Sequence, residues 1–227
     1  MARPEVIFFD VNETLLDLSP LKQSIGEALG GRPELASLWF TTLLQHALVA
    51  TVADRYQNFD EIGAACLRMV ARSHGIALDR DTAERCLAPM RRLPPHPDVA
   101  PALERLRDAG YRLATLTNSS KAALADQMQN AGLAEFFESL LSVEEVGLYK
   151  PHTHVYRWAA HRLGVEVSEC LFVAAHGWDV AGAAWAGMRT VFIARPGQQV
   201  FPLGPAIDIE VPSFKGLPDA VMENEWS

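Results

Sequence analysis

The sequence predicts an α/β protein: a mostly parallel sheet with helices on both faces and an all-helical insert after the first strand. Three observations carry that reading. The chain opens on a continuous apolar run, Val6-Ile7-Phe8-Phe9, that stops at Asp10; a short apolar run bounded by polar residues is the pattern of a strand buried on both faces. The stretch from about 19 to 91 then shows helical periodicity and no strand alternation. From residue 94 onward, apolar strands alternate with helical segments over short links, which is how right-handed βα units are written. The result is a Rossmann-like three-layer core in two segments, 1–17 and 94–227, with a helical cap domain, 18–93, inserted between them.

Each element has a local reason. Glu5 to Phe9 reads as the first strand. Ser19-Pro20 opens a helix through about Leu29, with the serine at the cap and the proline at the first helical position. Gly30-Gly31 stops it, and Pro33 starts a second helix reaching about Val52. A third spans Asp60 to His74 and closes at Gly75; a fourth runs from a capping Asp79 to about Met90. Pro94-Pro95-His96-Pro97 is a stiff re-entry point, and Asp98 is placed to cap a helix ending at Asp108. There follow a strand, Tyr111 to Leu116, a helix, Lys121 to Asn130, a short strand near Leu140 to Ser142, and a helix, His152 to Leu163. Glu169 to Ala174 is a strand, the next helix runs to about Ala186, Thr190 to Ala194 is a strand, and Ile207 to Val211 an edge strand.

Bulk properties narrow the function. The chain has 227 residues, 49% of them hydrophobic, enough for one good core plus a smaller attached unit. Its net charge is -8, and the only adjacent basic pair noted is Arg91-Arg92, so nucleic-acid binding is not expected. Cys66, Cys86 and Cys170 are odd in number and widely spaced, fitting neither a disulfide framework nor a zinc knuckle; they read as reduced thiols in cytoplasm. The amino terminus does not read as a signal peptide, and no stretch is expected to span a membrane. His46, His74, His96 and the His152/His154 pair lack cysteine partners at zinc spacing.

Four strand ends carry polar groups: Asp10 to Thr14, Thr117-Asn118, Glu144-Glu145 leading to Lys150, and His176 with Asp179. In a parallel sheet these ends share one edge, where open α/β folds keep their chemistry. The helical insert leaves from the same edge, so it is placed to cover the site and exclude water. Position 12 holds an amide, not a second carboxylate.

These pieces resemble the haloacid dehalogenase superfamily, and within it the L-type 2-haloacid dehalogenases. The matching runs are Phe9-Asp10-Val11-Asn12-Glu13-Thr14-Leu15, Leu116-Thr117-Asn118-Ser119, Tyr149-Lys150-Pro151 with Val155-Tyr156, and Phe172-Val173 through Trp178-Asp179-Val180-Ala181-Gly182-Ala183. The resemblance covers essentially the whole chain. It implies that Asp10 attacks a halogen-bearing carbon, and that water then opens the enzyme ester to release a 2-hydroxy acid. It further implies that Lys150 holds Asp10 ionised, that Thr14 and Thr117 donate to Asp10 or to the substrate carboxylate, and that Asn118 receives the halide. Asp179 would link to Lys150 and position water.

The departures from the family pattern are as informative. Phosphatase members resemble Asp-x-Asp, in which the second carboxylate protonates a leaving alkoxide; halide needs no proton, and the Asn12 amide cannot supply one. The dehalogenases usually show Tyr-Gly where this chain has Asn12-Glu13. Ala174-Ala175-His176 stands where they carry two serines and an asparagine. Glu13 and His176 are therefore read as a pair that activates the hydrolytic water, against a plainer reading as loop residues. The cap arginine of L-specific relatives is missing, and Phe40 stands in its place. Trp39 Nε1 is a candidate halide donor and Phe40 an apolar wall, each open to a reading as cap packing. Trp178 reads as a pocket wall or as filler, Tyr156 as a site donor or as packing, and Arg55 as a substitute anion anchor.

Three functions compete: hydrolytic dehalogenation of a short 2-haloalkanoate, magnesium-dependent phosphatase or phosphonate hydrolysis on the same fold, and a binding protein with a decayed site. The expectation is dehalogenation by a small haloacid-specific enzyme with no cofactor and no required metal, as a homodimer, because the relatives are commonly dimers.

Overall fold

The computed structural model describes residues 3–226; residues 1, 2 and 227 of the two core segments lie outside that range. Six parallel strands form one sheet in the order β3-β2-β1-β4-β5-β6: β1 (Val6–Phe9), β2 (Arg112–Thr117), β3 (Ser139–Ser142), β4 (Cys170–Ala174), β5 (Arg189–Ile193) and β6 (Ile209–Val211). All four residues of β1 are buried, as its continuous apolar run demands of a strand with neighbours on each side. The register sets Phe9 beside both Thr115 and Val173, and Asp10 N continues the ladder by donating to Val173 O at 3.0 Å. Asp10 is thus delivered at the carboxyl end of the central strand, next to the point where strand order reverses.

The insert is helical throughout: α1 (Ser19–Ala28), α2 (Glu34–Val52), α3 (Phe59–Ser73) and α4 (Arg80–Leu87), then a 3₁₀ turn Ala88–Arg92. Leu21, Ile25, Trp39, Leu43, Leu67, Val70 and Ala83 fill its core. The chain leaves and re-enters the sheet domain side by side. Asp17 N donates to Pro94 O at 2.8 Å and His96 N to Leu15 O at 2.9 Å, around an antiparallel bridge between Leu16 and Pro95. In the core, α5 (Val99–Asp108) packs on β2, α6 (Lys121–Asn130) on β3, and α8 (Gly177–Ala186) on β4, β5 and α7 (Thr153–Arg162).

Several local expectations need correcting. Ser19 does not cap α1; its own N–H and hydroxyl both donate to Asp17 Oδ1, so the carboxylate two residues earlier does that work. Asp98 does not cap α5. Its oxygens accept both Arg195 guanidinium nitrogens at 2.9 Å and the Phe214 N–H at 3.0 Å, because a buried arginine is the stronger claimant. The fourth cap helix is shorter than expected, and a terminal helix, α9 (Leu217–Glu223), was not foreseen. Finally, α2 is long and apolar enough to cross a membrane by length and composition alone, contrary to the expectation that no stretch would be. It packs instead on α3 through Trp39, Leu43 and Ala47. Thr41, Thr42 and Thr51 return their hydroxyls to carbonyls four residues back.

Candidate active site

The Asp10 carboxylate meets donors on both oxygens. Lys150 Nζ donates to Oδ1 at 2.9 Å; Thr14 Oγ1 donates to Oδ2 at 2.7 Å, with His176 Nδ1 3.2 Å from the same atom. Burial pushes this acid's pKa up, but the Lys150 charge, the His176 charge and the hydrogen bonds from His176 and Thr14 hold it well below the usual carboxylate range. Thr14 is fixed in turn, because its hydroxyl oxygen accepts the Ala175 N–H at 2.9 Å. Arg195 reaches the Thr14 carbonyl at 3.3 Å and ties the loop to Asp98.

Lys150 has a fully buried side chain and spends all three ammonium hydrogens: on Asp10, on Leu116 O at 2.8 Å, and on Asp179 Oδ2 at 2.5 Å. Burial opposes its charge, and the two carboxylates overcome that and raise its pKa. Tyr156 donates to the other Asp179 oxygen, Oδ1, at 2.5 Å. A Cβ at Gly182 would lie 2.4 Å from Pro151 Cβ and 2.7 Å from the Tyr156 hydroxyl, so glycine there is what lets α7 and α8 close on this contact. Burial, with the negative Asp10 nearby, holds Asp179 above an ordinary aspartate.

Glu13 and His176 do meet. Glu13 Oε2 lies 3.5 Å from His176 Nε2, ion-pair distance without hydrogen-bond alignment, and Oε1 accepts Lys22 Nζ from α1 at 2.6 Å. Glu13 adopts φ 65°, a left-handed conformation that costs a side chain about 1 kcal/mol or more, where the usual glycine of the resembled motif would be free of strain. His96 Nε2 lies 3.2 Å from the Glu13 carbonyl and helps hold that turn. Lys22 and His176 bring the Glu13 pKa down to about 2 against its desolvation. The His176 ring stacks on Phe40 at 5.8 Å and on Trp178 at 5.4 Å between centroids. Burial disfavours its charge, yet Asp10 and Glu13 together push its pKa up to about 9, so it is an imidazolium at neutral pH.

Other expected site residues are placed differently. Thr117 does not reach Asp10; its hydroxyl accepts the Ser119 N–H at 3.2 Å. The Asn12 amide is engaged within the protein: Nδ2 donates to Ser119 Oγ at 3.0 Å and Oδ1 accepts Gln127 Nε2 at 2.9 Å. Trp39 is no halide donor, since its Nε1 donates to Gly63 O at 2.9 Å inside the cap. Arg55 is exposed and makes none of the site's hydrogen bonds or ion pairs among the described residues. Phe40 and Trp178 both stack on the His176 ring. Asn118 accepts the Lys150 N–H on Oδ1 at 3.0 Å and leaves Nδ2 buried with no partner, a donor awaiting an acceptor. Lys22 and Gln127 were missed; nothing in their local sequence signals a partner nine or more than a hundred residues away.

A cleft of about 320 Å³ inside the cap, lined by Trp39, Leu43, Phe59 and Met90 among others, contains none of the groups around Asp10. The described residues include no group of three or more His, Cys, Asp or Glu arranged to hold a metal ion.

A parallel sheet that delivers one ionised aspartate under a helical cap, flanked by a buried lysine and a histidine, defines a capped α/β hydrolase working through a carboxylate nucleophile. Comparison with known proteins agrees. Residues 4–187 match the family model for haloacid dehalogenase-like hydrolases. The chain is 34% identical over 212 residues to a (S)-2-haloacid dehalogenase of Pseudomonas sp. (strain YL), covering 93% of this chain and 91% of that one. It is 32% identical to haloacetate dehalogenase H-2 of Moraxella sp. (strain B), over 96% and 97% of the two chains. The solved L-2-haloacid dehalogenase from Xanthobacter autotrophicus with chloropropionic acid covalently bound superposes with a TM-score of 0.90 at 26% identity, over 96% and 98% of the chains. The chain belongs to the haloacid dehalogenase-like hydrolase family.

Proposed function

We propose that this protein hydrolyses short 2-haloalkanoic acids to 2-hydroxy acids through an ester on Asp10. The observation that carries the reading is the pairing of an ionised, fully oriented Asp10 with an Asn12 whose amide is consumed by Ser119 and Gln127. A nucleophile is in place, and position 12 offers no acid for an alkoxide, so the reaction suits a leaving group that departs unprotonated. The unpartnered Asn118 Nδ2 supports halide reception, and Phe40 supplies an apolar wall where relatives place an arginine. Displacement inverts the carbon. His176, oriented by Glu13, then takes a proton from the water that opens the ester.

The decisive experiment is a single turnover in ¹⁸O-labelled water with each enantiomer of 2-chloropropionate, with and without chelator. Halide release unaffected by chelator, with label on the Asp10 carboxylate after turnover, is the expected result. Label found in the hydroxy acid with none on the protein would remove the ester from the mechanism. Phosphate release from phosphomonoesters only with magnesium would favour the phosphatase alternative.

The protein is further read as a cytoplasmic homodimer. Free thiols at Cys66, Cys86 and Cys170 support a reducing compartment. Leu48, Val49 and Val52 are 41%, 55% and 88% exposed along α2, an apolar surface suited to a second copy. Sedimentation should give a dimer that Val49→Glu with Val52→Glu converts to monomer; an unchanged dimer would place the interface elsewhere.

A further inference from the structure

In the unreacted enzyme His176 cannot be the base that the second step requires. Its Nδ1 lies 3.2 Å from Asp10 Oδ2 and its Nε2 at ion-pair distance, 3.5 Å, from Glu13 Oε2, so two carboxylates favour the charged ring. The other neighbours do not relieve this. Phe40 from α2 and Trp178 from α8 are uncharged rings, and Lys150 and Lys22 each stand behind a carboxylate, on Asp10 and Glu13 respectively. The side chain is 5% exposed, so solvent does little to share the charge.

We propose that forming the ester on Asp10 is itself the event that turns His176 into a base, so that the net proton of the reaction leaves at halide displacement and not at ester hydrolysis. This rests on the ester reading given above. Displacement forms a bond from the Asp10 oxygen to carbon and breaks the carbon–halogen bond, the electron pair leaving with the halide. Asp10 becomes a neutral ester. Once the halide departs, one of the two charges holding His176 protonated is gone, and the burial that opposes an imidazolium prevails. Glu13 stays ionised and keeps the proton on Nε2, so the proton lost to solvent is the one on Nδ1. That atom then points a lone pair at the ester, where water must attack. Nδ1 takes one water proton and the hydroxyl adds to the aspartyl carbonyl. Collapse then breaks the bond from that carbon to the substrate oxygen. The second water proton passes from the new Asp10 carboxyl to the departing alkoxide to give the hydroxy acid, and the Asp10 carboxylate is left beside an imidazolium. The sum is haloacid plus water giving hydroxy acid, halide and a proton, with the proton released in the first half.

The test is stopped-flow single turnover of 2-chloropropionate in weak buffer with a pH indicator at neutral pH, with parallel quenched samples weighed for the Asp10 adduct and for free halide. The expected proton trace follows ester and halide, with an amplitude matching the ester formed, and is complete before hydroxy acid appears. A trace that follows hydroxy acid while the ester forms normally overturns the switch and leaves the ester reading standing. No adduct on Asp10 overturns both. In His176→Asn, and independently in His176→Gln, the adduct should form without any proton release and persist about 100-fold longer or more; undiminished proton release on adduct formation in either variant would also sink the proposal. The wild-type trace needs no variant, so loss of folding in either cannot shelter the idea.

Discussion

At the scale of single residues, the site is organised by which hydrogen-bond partners each group already has. Asp10, Lys150 and Asp179 are saturated among themselves with Thr14, Leu116 and Tyr156; Asn118 Nδ2 is buried without a partner. Tyr156 was ambiguous in sequence, and its hydroxyl proves to be the partner of a buried carboxylate oxygen. Tyr156→Phe should therefore cost about 1–3 kcal/mol in urea unfolding, far more than an aromatic ring kept in place would suggest. A loss within error would mean that Asp179 finds another donor. The cluster around Asp10 was legible, because Asp10, Lys150, His176 and Asp179 sit at strand ends that a parallel sheet must bring together. Trp39 and Phe40 were not separable. Neighbours on a helix point roughly 100° apart, and periodicity alone does not say which of the two faces the core domain; Trp39 turned inward to Gly63, Phe40 outward to His176.

At the scale of elements, the cap and core are joined by polar clasps as well as by the neck around Leu16 and Pro95. Gln127, fully buried on α6, donates to Asn12 Oδ1 and to the Met90 carbonyl, each at 2.9 Å, and so ties the nucleophile loop to the end of the cap. Removing it leaves two buried acceptors without donors. Gln127→Ala should lower the urea midpoint by an amount worth about 1–3 kcal/mol at unchanged m-value. In a double-mutant cycle with Asn12→Ala the two effects should fail to add by about 0.5 kcal/mol or more. Additive losses would show that the contact carries no energy. Helix caps were unevenly legible: Asp79 accepts the Thr82 N–H at 2.7 Å as expected, whereas Ser19 and Asp98 do not cap, the latter for a related reason. Asp98 has the right residue type in the right place, but Arg195 and the Phe214 amide, distant in sequence, outbid the local N–H groups.

For the whole molecule, the layered fold with its insert was legible because each strand and helix is long enough to carry its own period, and because the insert lacks strands altogether. Strand order and the Leu16–Pro95 neck were not, since pairing partners far apart in sequence leave no local mark. The charge arrangement that the fold creates has a global consequence. Folding raises the His176 pKa from 6.5 to about 9, through Asp10 and Glu13 and against burial. The folded state binds that proton more tightly than the unfolded chain, so it contributes stability in full below pH 6.5 and loses it progressively as pH rises through 9. The contribution is on the order of 3 kcal/mol. Glu13 acts in the opposite direction and elsewhere on the scale: its pKa falls from 4.5 to about 2, so its stabilisation is present above 4.5 and fades in acid. Between pH 6.5 and 9, His176 is thus the group whose removal should change the slope. Unfolding free energies of the wild type should decline across that window relative to His176→Asn, with the gap between them closing by roughly 3 kcal/mol. Two curves running parallel from pH 6 to pH 10 would mean that His176 is neutral in the resting fold, and the switch at Asp10 would lose its starting state.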